Sequence, residues 1–179
     1  MNMRKIATIF TAFLVVLSAW QCSGLQKGVV ISGELTNAQN IQAFLDYVVI
    51  GRANSVVSKV DVNSSGKFQF EFPEGLEPGI YNLRFGARRI NLVLDGTEKN
   101  VEIKGDLNTL ETYNFSISGS PQTVAFANLM QAALNRKLRP EDIGTFVDTT
   151  TNPLLGAFVA FKTLGTSGQF IEIQKKAHG

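Results

Sequence analysis

Lys67-Phe68-Gln69-Phe70-Glu71-Phe72 puts three aromatic rings on one face of an extended chain and three polar side chains on the other. Side chains alternate across a strand, so this period of two marks a half-buried antiparallel strand. The pattern continues in both directions, from Gly28 to about Gly119. Arg89–Asp95 sets Ile90, Leu92 and Leu94 on one face, and Val101 and Ile103 alternate with Glu102 and Lys104. Tyr113, Phe115 and Ile117 alternate with Asn114, Ser116 and Ser118, and weaker runs cover 29–35, 44–50, 56–62 and 80–85. Asn63-Ser64-Ser65-Gly66, Pro78-Gly79, Asp95-Gly96 and Gly105-Asp106 supply the turn chemistry between them. About eight short strands with turns every eight to twelve residues predict a mainly β fold, an antiparallel β-sandwich, Ig-like or similar, over residues 22–119. An open barrel is the alternative, because strand count alone does not separate the two.

At Ser120 the pattern changes. Ser120-Pro121 is an N-cap followed by a first-turn proline. Phe126, Leu129, Met130, Ala133 and Leu134 then repeat at helical spacing, which predicts a helix of about sixteen residues ending near Arg139-Pro140. Asn152-Pro153 starts a second helix with Leu154, Phe158 and Phe161 on one face and Gly165 past its end. Glu141-Asp142 reads as a loop or helix start, where first-turn acids offset the macrodipole. Residues 169–177 form a weak third amphipathic segment. The region 120–179 thus reads as two or three helices of a truncated linker, whose apolar stripes must pack on the sandwich or on another partner.

The start of the chain has a different grammar. Arg4 and Lys5 precede the apolar run 6–17, and Ser18-Ala19-Trp20-Gln21 leads to Cys22. A charged start, an apolar run of this length and a short polar segment make a secretory signal over residues 1–21. A membrane span needs about 20 apolar residues, so the uncleaved-anchor reading is the weaker one. Cys22-Ser23-Gly24 stands where a bacterial lipoprotein carries its lipid, although Ala19-Trp20-Gln21 is bulkier than the usual box. Several acyl chains, at about 0.8 kcal/mol per buried methylene, make such attachment effectively permanent. The competing reading is an ordinary free cysteine near a cleavage site.

Composition narrows the function classes. The chain has 179 residues, 44% of them hydrophobic and 13 of them phenylalanine, enough to offset the ordering entropy of one core. Its 17 cations and 15 carboxylates become balanced once Arg4 and Lys5 leave with the leader, which removes the electrostatic footprint of a nucleic-acid partner. One cysteine excludes an internal disulfide and a CxxC redox pair, and one histidine, His178 next to the chain end, is poorly placed for a triad. No phosphate-binding loop or calcium loop is present, so neither a catalytic residue nor a metal or other cofactor is expected. Arg84, Arg88 and Arg89 cluster around Gly86-Ala87, either as an anion or carboxylate clamp or as a solvated hairpin.

The order of segments also resembles a known family. Val29-Val30-Ile31-Ser32-Gly33-Glu34-Leu35 opens the domain, Gly66-Lys67-Phe68-Gln69-Phe70 follows, and Pro78-Gly79-Ile80-Tyr81-Asn82-Leu83 comes next. Then come Leu94-Asp95-Gly96 and Phe115-Ser116-Ile117-Ser118-Gly119-Ser120-Pro121, and 146–153 is similar to a linker. Together these resemble the β-rich N-terminal domain that precedes a thioredoxin-like domain in thiol-disulfide interchange lipoproteins of Bacteroidetes. The resemblance implies a lipid-anchored envelope module facing the periplasm, at the outer membrane. Its partners would be the membrane, through lipid on Cys22, and a downstream thioredoxin-like domain or its client protein. It carries no catalytic residue onto this chain, because the CxxC domain is not in it. Two other readings stay open: a stand-alone peptide- or glycan-binding lipoprotein, and an enzyme of unrecognised type.

Overall fold

The structure is a computed structural model that describes residues 28–49 and 52–164. The leader, Cys22, Ile50, Gly165, the segment 169–177 and His178 lie outside the described residues. Within them run β1 (Val29–Thr36), β2 (Gln42–Tyr47), β3 (Ser55–Asp61), β4 (Lys67–Phe72), β5 (Gly79–Phe85), β6 (Arg88–Leu94), β7 (Asn100–Asp106) and β8 (Phe115–Ser118). They form two four-stranded sheets, ordered β4-β1-β7-β8 and β3-β2-β5-β6. The predicted sandwich followed by helices is the observed architecture. One pairing departs from the antiparallel expectation: β1 runs parallel to β7, Ile31 opposite Val101 and Gly33 opposite Ile103. Parallel neighbours need a long crossover, and here the whole second sheet and β4 lie between the two strands in sequence.

The aromatic strand behaves as its alternation requires. Phe68 and Phe70 are buried while Lys67, Gln69 and Glu71 are exposed. Phe68 meets Phe85 of the opposite sheet edge-to-face, with ring centroids 5.1 Å apart. Gly33 makes room for the Phe68 ring, since a Cβ there would stand 2.8 Å from it. Ile31, Leu35, Val101 and Ile103 from one sheet, and Leu45, Leu83, Leu92 and Leu94 from the other, fill the space between. Each such burial is worth about 1.5–3 kcal/mol before entropy is subtracted.

Turns follow their chemistry, with two differences from the sequence reading. Asn63–Gly66 crosses between the sheets, from β3 to β4. Asn63 Oδ1 accepts from the amides of Ser65 and Lys67, and Gly66 takes φ 76° against the Leu35 carbonyl. Gly86, at φ 58°, opens the two-residue hairpin that sets Phe85 opposite Arg88. Gly105-Asp106 does close β7, but not with a hairpin turn: Asp106 caps a short 3-10 helix, Leu107–Thr112, by accepting from the Asn108 amide. Tyr113 is accordingly not a strand residue: it ends that helix at φ 57°, and β8 begins only at Phe115.

Three helices follow: α1 (Pro121–Leu134), α2 (Pro140–Thr149) and α3 (Pro153–Leu164). The first is shorter than its stripe suggested, because Asn135 and Arg136 close it, Arg136 at φ 55°. Of the two readings of Glu141-Asp142 the helix start is the one observed, and the helix runs on to Thr149. Asp142 accepts from the Arg139 amide at 2.9 Å and pairs with its guanidinium, a first-turn carboxylate facing the helix N-terminus. In α3 the buried face is Leu155, Phe158, Val159 and Ala160, whereas Phe161, expected on that face, is exposed. α2 packs on α3, and at Gly156 a Cβ would stand 2.9 Å from the Thr150 methyl.

The helices lie on the outer face of the second sheet. Tyr81, Leu83, Leu92 and Leu94 point into the sandwich, so Ile80 and Val93, out of phase with them, point outward. Phe126, Met130, Leu155, Phe158 and Val159 cover that pair in a second apolar cluster. The Phe126 and Phe158 rings meet at a tilt of 32°, with centroids 5.0 Å apart.

Candidate functional site

The α1 start is fastened to a sheet edge. β6 is the outermost strand of its sheet, so Val93 has an amide and a carbonyl with no strand partner on that side. Thr123 Oγ1 supplies both: it accepts from the Val93 amide at 2.9 Å and donates to the Val93 carbonyl at 3.0 Å. Ser120 Oγ, 3.2 Å from Glu98 Oε1, sends its single proton to that carboxylate as the charged acceptor. Glu98 also accepts from the amides of Asp95 and Gly96, so its buried charge is met by three donors. The N-cap reading of Ser120 holds, but its tie to Glu98 and the part of Thr123 are long-range and have no sequence signal.

Beyond this junction, α1 diverges from the sheet and leaves a cleft of about 560 Å³. Its floor is Arg89 and Asn91 of β6. One wall is Glu111 and Tyr113, and the other is Met130, Leu134, Ile143 and Lys162 from the three helices. The Asn91 amide donates to Asn82 Oδ1, which fixes the floor to β5. Leu134, the last residue of the α1 stripe, is 58% exposed at the rim.

The three arginines named from sequence part company here. Arg84 is taken up by Asp46: Nε and Nη2 donate to its two carboxylate oxygens at 3.0 and 3.3 Å, and the guanidinium lies 4.4 Å over the Phe44 ring. Arg88 pairs with Glu111 at 2.7 Å. Each of the two thus has a carboxylate partner of its own, Asp46 for Arg84 and Glu111 for Arg88. Arg89 stands directly opposite Arg84 in the strand register, and no described carboxylate lies within ion-pair distance of it. The structure joins to it a residue that sequence reading passed over. Lys162 of α3 lines the same cleft, 5.9 Å over the Phe158 ring. Burial and then the charge of Arg89 hold the Lys162 ammonium below its ordinary pKa. Tyr113 is pushed up to about 12 by burial and then by Glu111.

Val93 was the available signal for this arrangement. An apolar residue between Leu92 and Leu94 breaks strict alternation, and it means that both faces of β6 are covered.

No group of three or more His, Cys, Asp or Glu side chains among the described residues is arranged to hold a metal. No described helix is long and apolar enough to cross a membrane. Comparison of the chain with protein-family models, with curated proteins and with solved structures found no match.

Proposed function

We propose that this chain is a lipid-anchored, non-catalytic module of the bacterial envelope. Cys22 fixes it to a membrane facing the periplasm, and the sandwich with its helices serves as a rigid spacer for a thioredoxin-like domain or its client. The observation that carries the spacer reading is the Thr123–Val93 and Ser120–Glu98 junction, which makes the helices a continuation of the sandwich and not a loose tether. The leader, the single Cys22 and the segment order given above support the anchor.

Mass spectrometry of detergent-extracted protein tests the anchor: a diacylglyceryl group on Cys22 is expected, and an unmodified thiol there ends that reading. An insulin-reduction assay tests the non-catalytic part. No turnover is expected from this chain alone, and steady reduction contradicts it. Reading the nucleotide sequence downstream tests the partner: an open frame continuing into a CxxC domain is the expected result.

A specific observation favours binding as a second role. The cleft beside α1 holds two cations, Arg89 and Lys162, without a carboxylate partner among the described residues.

A further inference from the structure

We propose that the cleft between β6 and the helices binds a small amphiphilic carboxylate, its carboxylate held between Arg89 and Lys162 and its apolar body against Met130, Leu134 and Ile143. The inference goes beyond the anchored-spacer reading and does not depend on it.

The charge arrangement is the first reason. Arg84 and Arg89 face each other across β5 and β6, and like charges directly opposite in a sheet are unfavourable. Asp46 neutralises Arg84, and Lys162 then brings another cation toward Arg89 from α3. Glu111 also lines the cleft, but Arg88 neutralises it at 2.7 Å. The walls therefore carry two positive charges that the described residues leave unmatched. A single carboxylate placed between them relieves their repulsion, and a guanidinium matches its two oxygens with a planar fork.

The apolar wall is the second reason. Met130 and Ile143 are buried, and Leu134 offers its side chain at the rim. A volume of about 560 Å³ lies within the usual range for small-molecule sites. No helix N-terminus is among the lining residues, so inorganic phosphate or sulfate has only two charges to meet and no partner for the apolar wall. A second concavity, on the outer face of the β1-containing sheet, lacks this imbalance: Lys67 lies 3.8 Å from Glu34 and Lys104 lies 2.7 Å from Glu102.

Isothermal titration of the full purified chain in non-ionic detergent tests the proposal. The probes are N-acetyl-leucine and 4-methylpentanoate, with 4-methylpentanamide and inorganic phosphate as controls. Saturable binding of both carboxylates is expected, with neither the amide nor phosphate matching them. Arg89→Gln and Lys162→Gln each weaken it about tenfold, the loss expected for one charged hydrogen bond. Leu134→Ser weakens the leucine derivative but leaves the fold intact, and Lys59→Gln on exposed β3 changes nothing. Melting curves of the variants show that each is folded; Arg89 has no ion partner among the described residues to lose. No heat up to about 10 mM, equal binding of the amide, phosphate binding indifferent to Leu134→Ser, or full binding by both charge variants each overturns the proposal.

Discussion

In the sandwich, apolar side chains from both sheets meet at alternate positions, and the polar residues between them face out. Under the helices, a smaller apolar cluster is built on Ile80 and Val93, residues of the same strands that point the opposite way. The first core comes from strands that each bury one face. The second exists only because three helices cover a sheet face that would otherwise be wet. It follows that the sandwich is the self-sufficient half and that the helices depend on it, held at one end by buried hydrogen bonds and open at the other as a cleft.

The largest effects separate the two cores. Phe70→Ala removes a ring that is 1% exposed between the sheets and is expected to cost about 3–5 kcal/mol, seen as a lower denaturant midpoint for the whole molecule. Phe126→Ala removes an equally buried ring from the second cluster, at a comparable local cost. Its loss is expected to show in hydrogen exchange of α1 and α3, while amides of β1 and β7 keep their protection. If β1 and β7 lose protection together with the helices, the two cores are one cooperative unit and the contrast fails.

The junction comes next in size. Thr123→Val keeps the shape of the side chain but leaves the Val93 amide and carbonyl without their partner, which is expected to cost about 1–3 kcal/mol. Rapid exchange of the Val93 amide, with the remaining β6 amides unchanged, is the diagnostic. A variant as stable as the parent means that the edge is satisfied some other way.

Acid should loosen the same junction. Asp95 is held below the usual carboxylate range, chiefly by the Thr97 hydroxyl, with the Thr97 amide and Gln122 of α1 also donating. A lowered folded pKa means that its contribution is complete above the unfolded value of about 3.9 and is lost as pH falls through the folded one. Asp142, lowered chiefly by its hydrogen bond with Arg139, acts with the same sign at the α2 start. Melting temperature is therefore expected to fall as pH drops below about 4, and Asp95→Asn to flatten part of that fall. An Asp95→Asn variant with the parent's slope removes Asp95 from the account.

The smallest effect belongs to the sandwich's free edge. Val56 on β3 is 59% exposed, so Val56→Thr should stay within about 0.5 kcal/mol by chemical denaturation. A larger loss places Val56 in a contact that the described residues do not make.

The fold was legible in the sequence where burial is one-sided. Lys67–Phe72 reads as a half-buried strand because its period of two is unbroken, and α1 reads as a helix because Ser120-Pro121 and the Phe126–Met130 spacing agree. Legibility fails where both faces are covered. Val93 and Ile80 look like noise in an alternating pattern, and the face that α3 buries is not the one its Leu154, Phe158 and Phe161 spacing suggests. The candidate site was half visible. Arg84, Arg88 and Arg89 stand out as a cluster, but Asp46 and Glu111, far off in sequence, take two of them, and Lys162 arrives from 73 residues beyond Arg89.

By itself the sequence determined most of the strands, the start of α1 and the scarcity of reactive side chains, because these depend on local periodicity, backbone preference and composition. Tertiary structure alone decided the parallel β1–β7 pairing, the Thr123 fastening of β6 and which of the three arginines has no carboxylate partner among the described residues. Each is an outcome of which distant groups the fold brings side by side, and no local pattern encodes that distance.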